Sequence, residues 1–149
     1  MRMVTRWPCL VAALGVGALM ACSKPLPPQG RWEGIYQAGD VMIAARLEVE
    51  PNGAVRVSAP NAFMDFAKMS DADRDAMRTR MIGELAKAWP NVAPVTLDFD
   101  GKIFRKPGGV APQLEWDSAT KRMTAVVYPG THPTIRMPLD AVGEFSGGG

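Results

Sequence analysis

The sequence predicts an α+β domain, a mainly antiparallel curved sheet or small barrel of about eight short strands with a helical insertion after the third strand. Three observations lead to this prediction. Most apolar residues alternate with polar ones, which is the period-two pattern of strands that bury one face. Turn sequences such as Asn52-Gly53 and Asp100-Gly101 separate these strands. Residues 70–90 instead carry apolar side chains at helical spacing.

The first three strands follow from this alternation. Trp32, Gly34 and Tyr36 share one face of the earliest strand. The second strand has an apolar face comprising Val41, Ile43, Ala45, Leu47 and Val49, opposite Met42, Ala44, Arg46, Glu48 and Glu50. Beyond the next turn, Val55 and Val57 continue the apolar face. The pattern indicates half-buried strands that cover one core.

The helical segment begins and ends at recognisable signals. Ser70 is a preferred N-cap residue, and the aspartates that follow it favour the positive end of a helix. Met77, Met81 and Leu85 form the apolar stripe, and Pro90 ends the pattern. A helix with one such stripe buries it against another element, so we expect this stripe to face the sheet.

The second half of the chain is again strand-like. Leu97 and Trp116 are expected to point into the same core as Leu47 and Val57. The apolar positions of these later strands are Val95, Leu97, Phe99, Leu114, Trp116, Met123, Ala125, Val127, Ile135, Met137 and Leu139. Short turns join most of them, which predicts antiparallel pairing.

The N-terminal segment, residues 1–21, has the three parts of a secretory signal peptide. Arg2 and Arg6 supply the positive start, and residues 9–20 form an apolar run. The run is shorter than the stretch of about 20 residues that a spanning helix needs.

The end of this segment, Leu19-Met20-Ala21-Cys22, resembles the lipobox of bacterial lipoproteins. The resemblance implies that Cys22 becomes the first mature residue and carries palmitate and other acyl chains, which together hold a protein stably on a membrane. It also implies a place in the cell envelope. Ser23, where an aspartate would favour the inner membrane, implies the outer membrane, with the protein facing the periplasm.

The expected domain boundaries follow from composition. Residues 22–30 combine the lipidated cysteine with a proline-rich tether, which favours extended backbone. Residues 31–145 form the single α+β domain. Residues 146–149 are predicted to be a flexible tail because three of them are glycine.

Gly30-Arg31-Trp32 resembles the Gly-x-Trp motif in the first strand of lipocalins and related small ligand-binding barrels. The resemblance implies that Trp32 closes one end of a barrel. It further implies that an arginine of the last strand, here Arg136, packs across the indole. A ligand-binding, lipocalin-like role is the function that this likeness implies.

Residues with catalytic or metal-binding potential are few. Once Cys9 is removed with the signal peptide and Cys22 is lipidated, no thiol remains for catalysis or metal binding. His132 stands alone in a predicted turn, and the carboxylates of Glu33, Asp98, Asp100 and Asp117 are expected to be solvated. Asp71, Asp73 and Asp75 resemble the start of a calcium loop, but Ala76 and Ile82 occupy the positions that require Gly and Glu. We therefore predict a non-enzymatic protein without metal or cofactor.

Charge excludes one class of partner. The chain has 17 Lys and Arg against 15 Asp and Glu, and the balance is even once Arg2 and Arg6 are removed with the signal. Nucleic-acid binding needs a surplus of cations, so we expect no nucleic-acid partner.

The candidate surface comprises Phe63, Met64, Phe66 and Met69, which precede the helix. They either complete the core or line the mouth of a binding site, where aromatic and flexible methionine side chains are both suited to ligands. Two functions remain open. One is a lipid-anchored envelope protein that holds a small apolar ligand between sheet and helix. The other is an envelope protein–protein interaction factor or an inhibitor of a periplasmic enzyme.

Overall fold

The computed structural model describes residues 23–147. In this part of the chain the main elements are β1 (Gly30–Ala38), β2 (Val41–Val49), β3 (Val55–Ser58), β4 (Asn61–Phe63), α1 (Asp71–Ala88), β5 (Asp98–Phe99), β6 (Ile103–Arg105), β7 (Pro112–Asp117), β8 (Arg122–Val127) and β9 (Ile135–Val142). Single 3₁₀ turns flank α1 at Phe66–Lys68 and Trp89–Asn91.

The strands form one curled antiparallel sheet in the order β3-β2-β1-β9-β8-β7-β6-β5, with β4 paired to the far end of β2. The curl brings the two outermost strands toward each other. Val55 of β3 and Val95, just before β5, exchange two backbone hydrogen bonds of 2.9 and 2.8 Å. The predicted curved antiparallel sheet is confirmed as a half-barrel whose outer edges meet at this one bridge.

The concave side of the sheet holds the main core. Trp32 lies within it and meets Trp116 edge-on, with ring centroids 5.9 Å apart. Leu47 is buried there, and Val57, Leu97 and Trp116 pack against the same cluster, as the alternation predicted. The buried members are Trp32, Val41, Ile43, Ala45, Leu47, Val49, Val55, Phe99, Phe104, Leu114, Met123, Ala125, Met137 and Leu139.

Helix α1 packs on the convex side of β2. Met81 and Leu85 are its buried residues, and they contact Met42, Ala44 and Phe66, as predicted for the apolar stripe. Ser70 caps the helix by accepting a 3.1 Å hydrogen bond from the Asp73 amide. Because α1 covers Met42 and Ala44, β2 is buried on both faces.

The helix does not directly follow the third strand. β3 ends at Ser58, and residues 61–63 then pair with β2 as the short strand β4. β3 pairs only with residues 46–49 of β2, so the backbone of Val41, Met42 and Ile43 is still free to pair. β4 pairs with these three residues before the chain enters the helix. None of the described helices is long and apolar enough to cross a membrane.

Candidate functional site

The four residues predicted to form a binding surface separate into two environments. Phe66 is fully buried, and Met69 packs partly buried against the same helix–sheet cluster. Phe63 and Met64 are 47% and 42% exposed. Phe66 and Met69 therefore belong to the core, while Phe63 and Met64 are available at the surface.

Phe63 belongs to a small cluster at one end of the half-barrel. Its ring lies 4.7 Å from the imidazole of His132, measured between centroids. The Nε2 atom of His132 is 3.2 Å from a carboxylate oxygen of Asp40 in the β1–β2 turn. His132, expected to be a solvated turn residue, instead links the β8–β9 turn to two neighbouring segments.

A pocket of about 300 Å³ lies between α1 and β4. Met77 and Met81 of the helix and Ala62 of the strand supply its apolar wall. Arg80 and Glu84 stand at its rim, together with Pro60 and Asn61. Helical spacing puts Met77, Arg80, Met81 and Glu84 on adjacent turns, so one flank of α1 presents both the apolar wall and the charged rim.

The rim of this pocket carries one cation that has no ion-pair partner among residues 23–147. Glu84 accepts a 3.1 Å hydrogen bond from Lys87, whereas Arg80 is exposed and makes no such pair within that range. Ligand sites commonly combine an apolar wall with a few polar groups at the mouth. This arrangement suits a small apolar molecule with a polar end.

A second apolar pocket, about 270 Å³, opens where the curled sheet is not closed. Val57 and Ala59 form one wall, and Leu114, Ala125 and Val127 face them across the gap. These side chains belong to the main core or pack against it. Its volume is slightly smaller, and it lies away from α1.

The predicted barrel-closing pair, Trp32 and Arg136, is not formed. Trp32 points into the core, whereas Arg136 is exposed on the convex side and its Nε donates a 3.1 Å hydrogen bond to Glu115. Arg136 lies between Met137 and Ile135 on β9, and buried Met137 occupies the concave face. Alternation along a strand therefore turns Arg136 outward.

Glu33 was predicted to be solvated, and this prediction is wrong. Its side chain is 8% exposed and accepts a 3.0 Å hydrogen bond from Arg46, which is 2% exposed. The two residues face each other across β1 and β2 on the convex side. The pairing of Arg46 with Glu33 depends on the register of β1 and β2, which the sequence pattern does not specify.

The other predicted acids remain at the surface and make local contacts. A hydrogen bond from Arg105, with backbone amides of Ile103 and Lys102, lowers the pKa of Asp100 from 3.8 to about 2. The hydroxyl of Thr120 and the amide of Ala119 lower the pKa of Asp117. These hydrogen bonds organise two tight turns, and the carboxylates do not converge on a common site.

Ser146, the first residue of the segment predicted to be a flexible tail, contacts the convex side of the sheet. Its amide and hydroxyl donate to the Glu33 carboxylate, and its carbonyl accepts from Arg46. A cleft of about 730 Å³ borders this contact, between the end of α1 and the strands β1 and β2. Ser146 and Gly147 thus both contact the rest of the domain.

Within residues 23–147, no three His, Cys, Asp or Glu side chains are grouped so that they could hold a metal ion. The predicted signal peptide and lipidated Cys22 lie outside the described residues. The tether starts next to the domain: Lys24 is 3.7 Å from Asp98, and Pro25 lies against Gly101. Comparisons with protein-family models, curated proteins and solved structures found no match to this chain.

Proposed function

We propose that this chain is a lipid-anchored, periplasm-facing lipoprotein of the outer membrane that has no enzymatic activity and binds a small apolar ligand. The observation that carries the ligand-binding part is the pocket of about 300 Å³ between α1 and β4, with its wall of Ala62, Met77 and Met81. Flexible methionine side chains adapt to different apolar shapes, which suits a site of this size.

The position of the tether supports this proposal. The tether leads into Gly30, which pairs with Val49 beside the β2–β3 turn. Phe63, Met64 and the β1–β2 turn lie at the opposite end of the same strands. An anchor at Cys22 would therefore leave the helix–sheet pocket and the Phe63 end accessible from the periplasm.

A lipocalin-like origin of the half-barrel also stays a proposal. It is supported by Trp32 at the start of β1, buried in the concave core. The other feature that the lipocalin resemblance implied, Arg136 packed across the Trp32 indole, is not formed, because Arg136 binds Glu115 instead.

The anchor is tested by Cys22→Ser in the full chain. Mass spectrometry of the wild-type protein should find a mature N-terminus at Cys22 with attached acyl chains. The variant should keep residues 1–21 and carry no lipid. An identical lipidated, membrane-bound mature form in the variant would defeat the lipoprotein proposal.

The ligand site is tested by NMR of the full chain in lipid nanodiscs with ¹³C-labelled methionine methyl groups and octanol as the probe. The signals of Met77 and Met81 should shift with octanol, while those of Met123 and Met137 in the main core should stay in place. Ala62→Leu fills the pocket and should remove the shift, whereas Ala119→Leu in an exposed turn should not. If the Met77 and Met81 signals still shift with octanol in the Ala62→Leu variant, octanol does not bind in this pocket.

The second candidate is an envelope interaction factor or an inhibitor of a periplasmic enzyme. It is favoured by the exposure of the adjacent residues Phe63 and Met64, at 47% and 42%. Large apolar side chains grouped at a surface often mark a protein contact. A photo-crosslinking residue at position 63 should then join one envelope protein in cells, and the same residue at position 110 should not.

A further inference from the structure

The C-terminal segment, which we define as residues 144–147, covers the convex side of the sheet at Glu33 and Arg46. Beneath it lies the Glu33–Arg46 ion pair, which is buried although it does not face the main core. Charged side chains are rarely buried unless each finds partners. At this position Ser146 supplies those partners, through its amide, its hydroxyl and its carbonyl.

Phe145 adds an aromatic contact to these polar ones. Its ring meets Trp89 edge-on at a centroid distance of 4.9 Å. The guanidinium carbons of Arg46 and Arg31 lie 4.9 and 5.8 Å from the centroid of the same ring. The segment thus bridges the two strands β1 and β2 to the residue that follows the last turn of α1.

Gly147 extends this bridge to the helix itself. Gly147 packs next to Ile82 and Ala86. A β-carbon added to Gly147 would lie 3.7 Å from the side chain of Ile82 and 3.8 Å from that of Ala86. Ile82 and Ala86, four residues apart, are on the flank of α1 next to Gly147, whereas Met77 and Met81 line the ligand pocket. The helix is consequently held between the C-terminal segment and β4.

Helix α1 depends on such support because little of it is buried. Of its 18 residues only Met81 and Leu85 are buried against the sheet. Arg74 secures its beginning by donating to the carbonyls of Phe66 and Met69 at 2.9 and 3.1 Å. Elements with few buried contacts open locally at a free-energy cost below that of global unfolding.

We propose that the C-terminal segment is a strap that controls the ligand pocket: docked, it fixes α1 and preorganises the wall of Met77 and Met81, and released, it lets the helix move and the ligand leave. This inference rests on the proposed function, because it concerns the same pocket. The strap is held mainly by hydrogen bonds and aromatic contacts, and none of its residues belongs to the two buried apolar clusters.

The test compares four forms of the full chain in nanodiscs: wild type, Phe145→Ala, Ser146→Ala and a chain that ends at Gly143. Ser118→Ala, an exposed serine in the β7–β8 turn, is the matched control. Hydrogen exchange followed by mass spectrometry should show amides of residues 80–88 exchanging at least about tenfold faster in the truncated chain and a few-fold faster in the two point variants. Strands β8 and β9 should keep their protection, which verifies that the domain is folded.

The second measurement is octanol affinity, read from the methyl signals of Met77 and Met81. Loss of the strap should raise the Kd at least about threefold, since a wall that is no longer preorganised must be ordered on binding. Unchanged exchange in residues 80–88 of the truncated chain would overturn the strap. Faster exchange with an unchanged Kd would overturn its control of the pocket. Failure of octanol to bind the wild-type chain would instead defeat the proposed function itself, and the strap's role with it.

Discussion

The two faces of β2 are both buried, but for different physical reasons. On the concave face Val41, Ile43 and Leu47 join an apolar core that the curled sheet creates from its own strands. On the convex face Met42 and Ala44 are covered by a helix, and Arg46 by the C-terminal residues. The first face is buried by the sheet itself, whereas the second depends on separate segments that must dock.

This difference divides the molecule into a self-contained part and an attached part. The concave core is built from apolar and aromatic side chains and follows from alternation along each strand. The convex side mixes a small apolar cluster with a buried ion pair and several arginine contacts, such as Arg56 to the carbonyls of Trp89 and Val92 at 2.6 and 3.0 Å. Both proposed activities, ligand binding and its control, lie on the attached side.

The largest expected effect is on the buried ion pair of the convex face. Arg46→Met leaves the Glu33 carboxylate buried without its guanidinium and should lower the free energy of unfolding by about 3–5 kcal/mol. Adding Glu33→Leu should restore most of the loss, because an apolar pair of similar volume is often equally stable. Urea denaturation measures both. A single variant as stable as wild type would mean that the pair is solvated.

The two phenylalanines that precede the helix should respond very differently. Phe66→Ala removes a fully buried ring and should cost about 3–5 kcal/mol, whereas Phe63→Ala, at 47% exposure, should cost less than about 0.5 kcal/mol. Thermal unfolding of the two variants compares them directly. Equal losses would show that Phe63 is also part of the cluster under α1.

Leu47 reports on the concave face alone. It is fully buried in the main core, so Leu47→Ala should cost about 2–5 kcal/mol. Because the sheet makes this core by itself, the loss should appear as global unfolding, with strands and helix exchanging together. If chemical denaturation shows a loss below about half a kcal/mol, Leu47 does not face the main core.

The smallest effect concerns the exposed turn at Asp100. Its pKa in the folded state is lowered to about 2 by the hydrogen bond from Arg105 and by two backbone amides. A lowered pKa gives a contribution that is present above about pH 4 and is lost as the pH falls through about 2. Asp100→Asn should therefore reduce stability at neutral pH only slightly and flatten its decline below pH 4. An unchanged acid profile in the variant would exclude these contacts in solution.

The sequence predicted the concave side well because one rule applies to every strand of it. Alternation identified Leu47, Val57, Leu97 and Trp116 as inward-facing, and the helical stripe on α1 was also correct. Both patterns, alternation and helical spacing, are defined by residues only a few positions apart in the chain. The half-barrel follows from many short antiparallel strands joined by turns.

The convex side could not be predicted because it depends on residues distant in the chain. Glu33 and Ser146 are 113 positions apart, and no local pattern couples them. Proline is usually confined to edge strands, yet Pro138 lies in β9, which is inside the sheet. Its pairing with β1 stops at Glu33 and Asp140, so Pro138 lies beyond the last paired residues and its missing amide costs no ladder hydrogen bond to β1. Both the contact of Glu33 with Ser146 and the position of Pro138 depend on the order and register of the strands, which local sequence patterns do not specify.

The central claim is that ligand binds on the attached side, between α1 and β4. A crystal structure of the full chain with 8-bromo-octanol tests it most directly, because anomalous scattering locates the bromine without reference to any model of the ligand. The account predicts an anomalous peak in the pocket lined by Ala62, Met77 and Met81. A peak instead in the opening between Val57 and Leu114 would place the site on the concave side and contradict the claim.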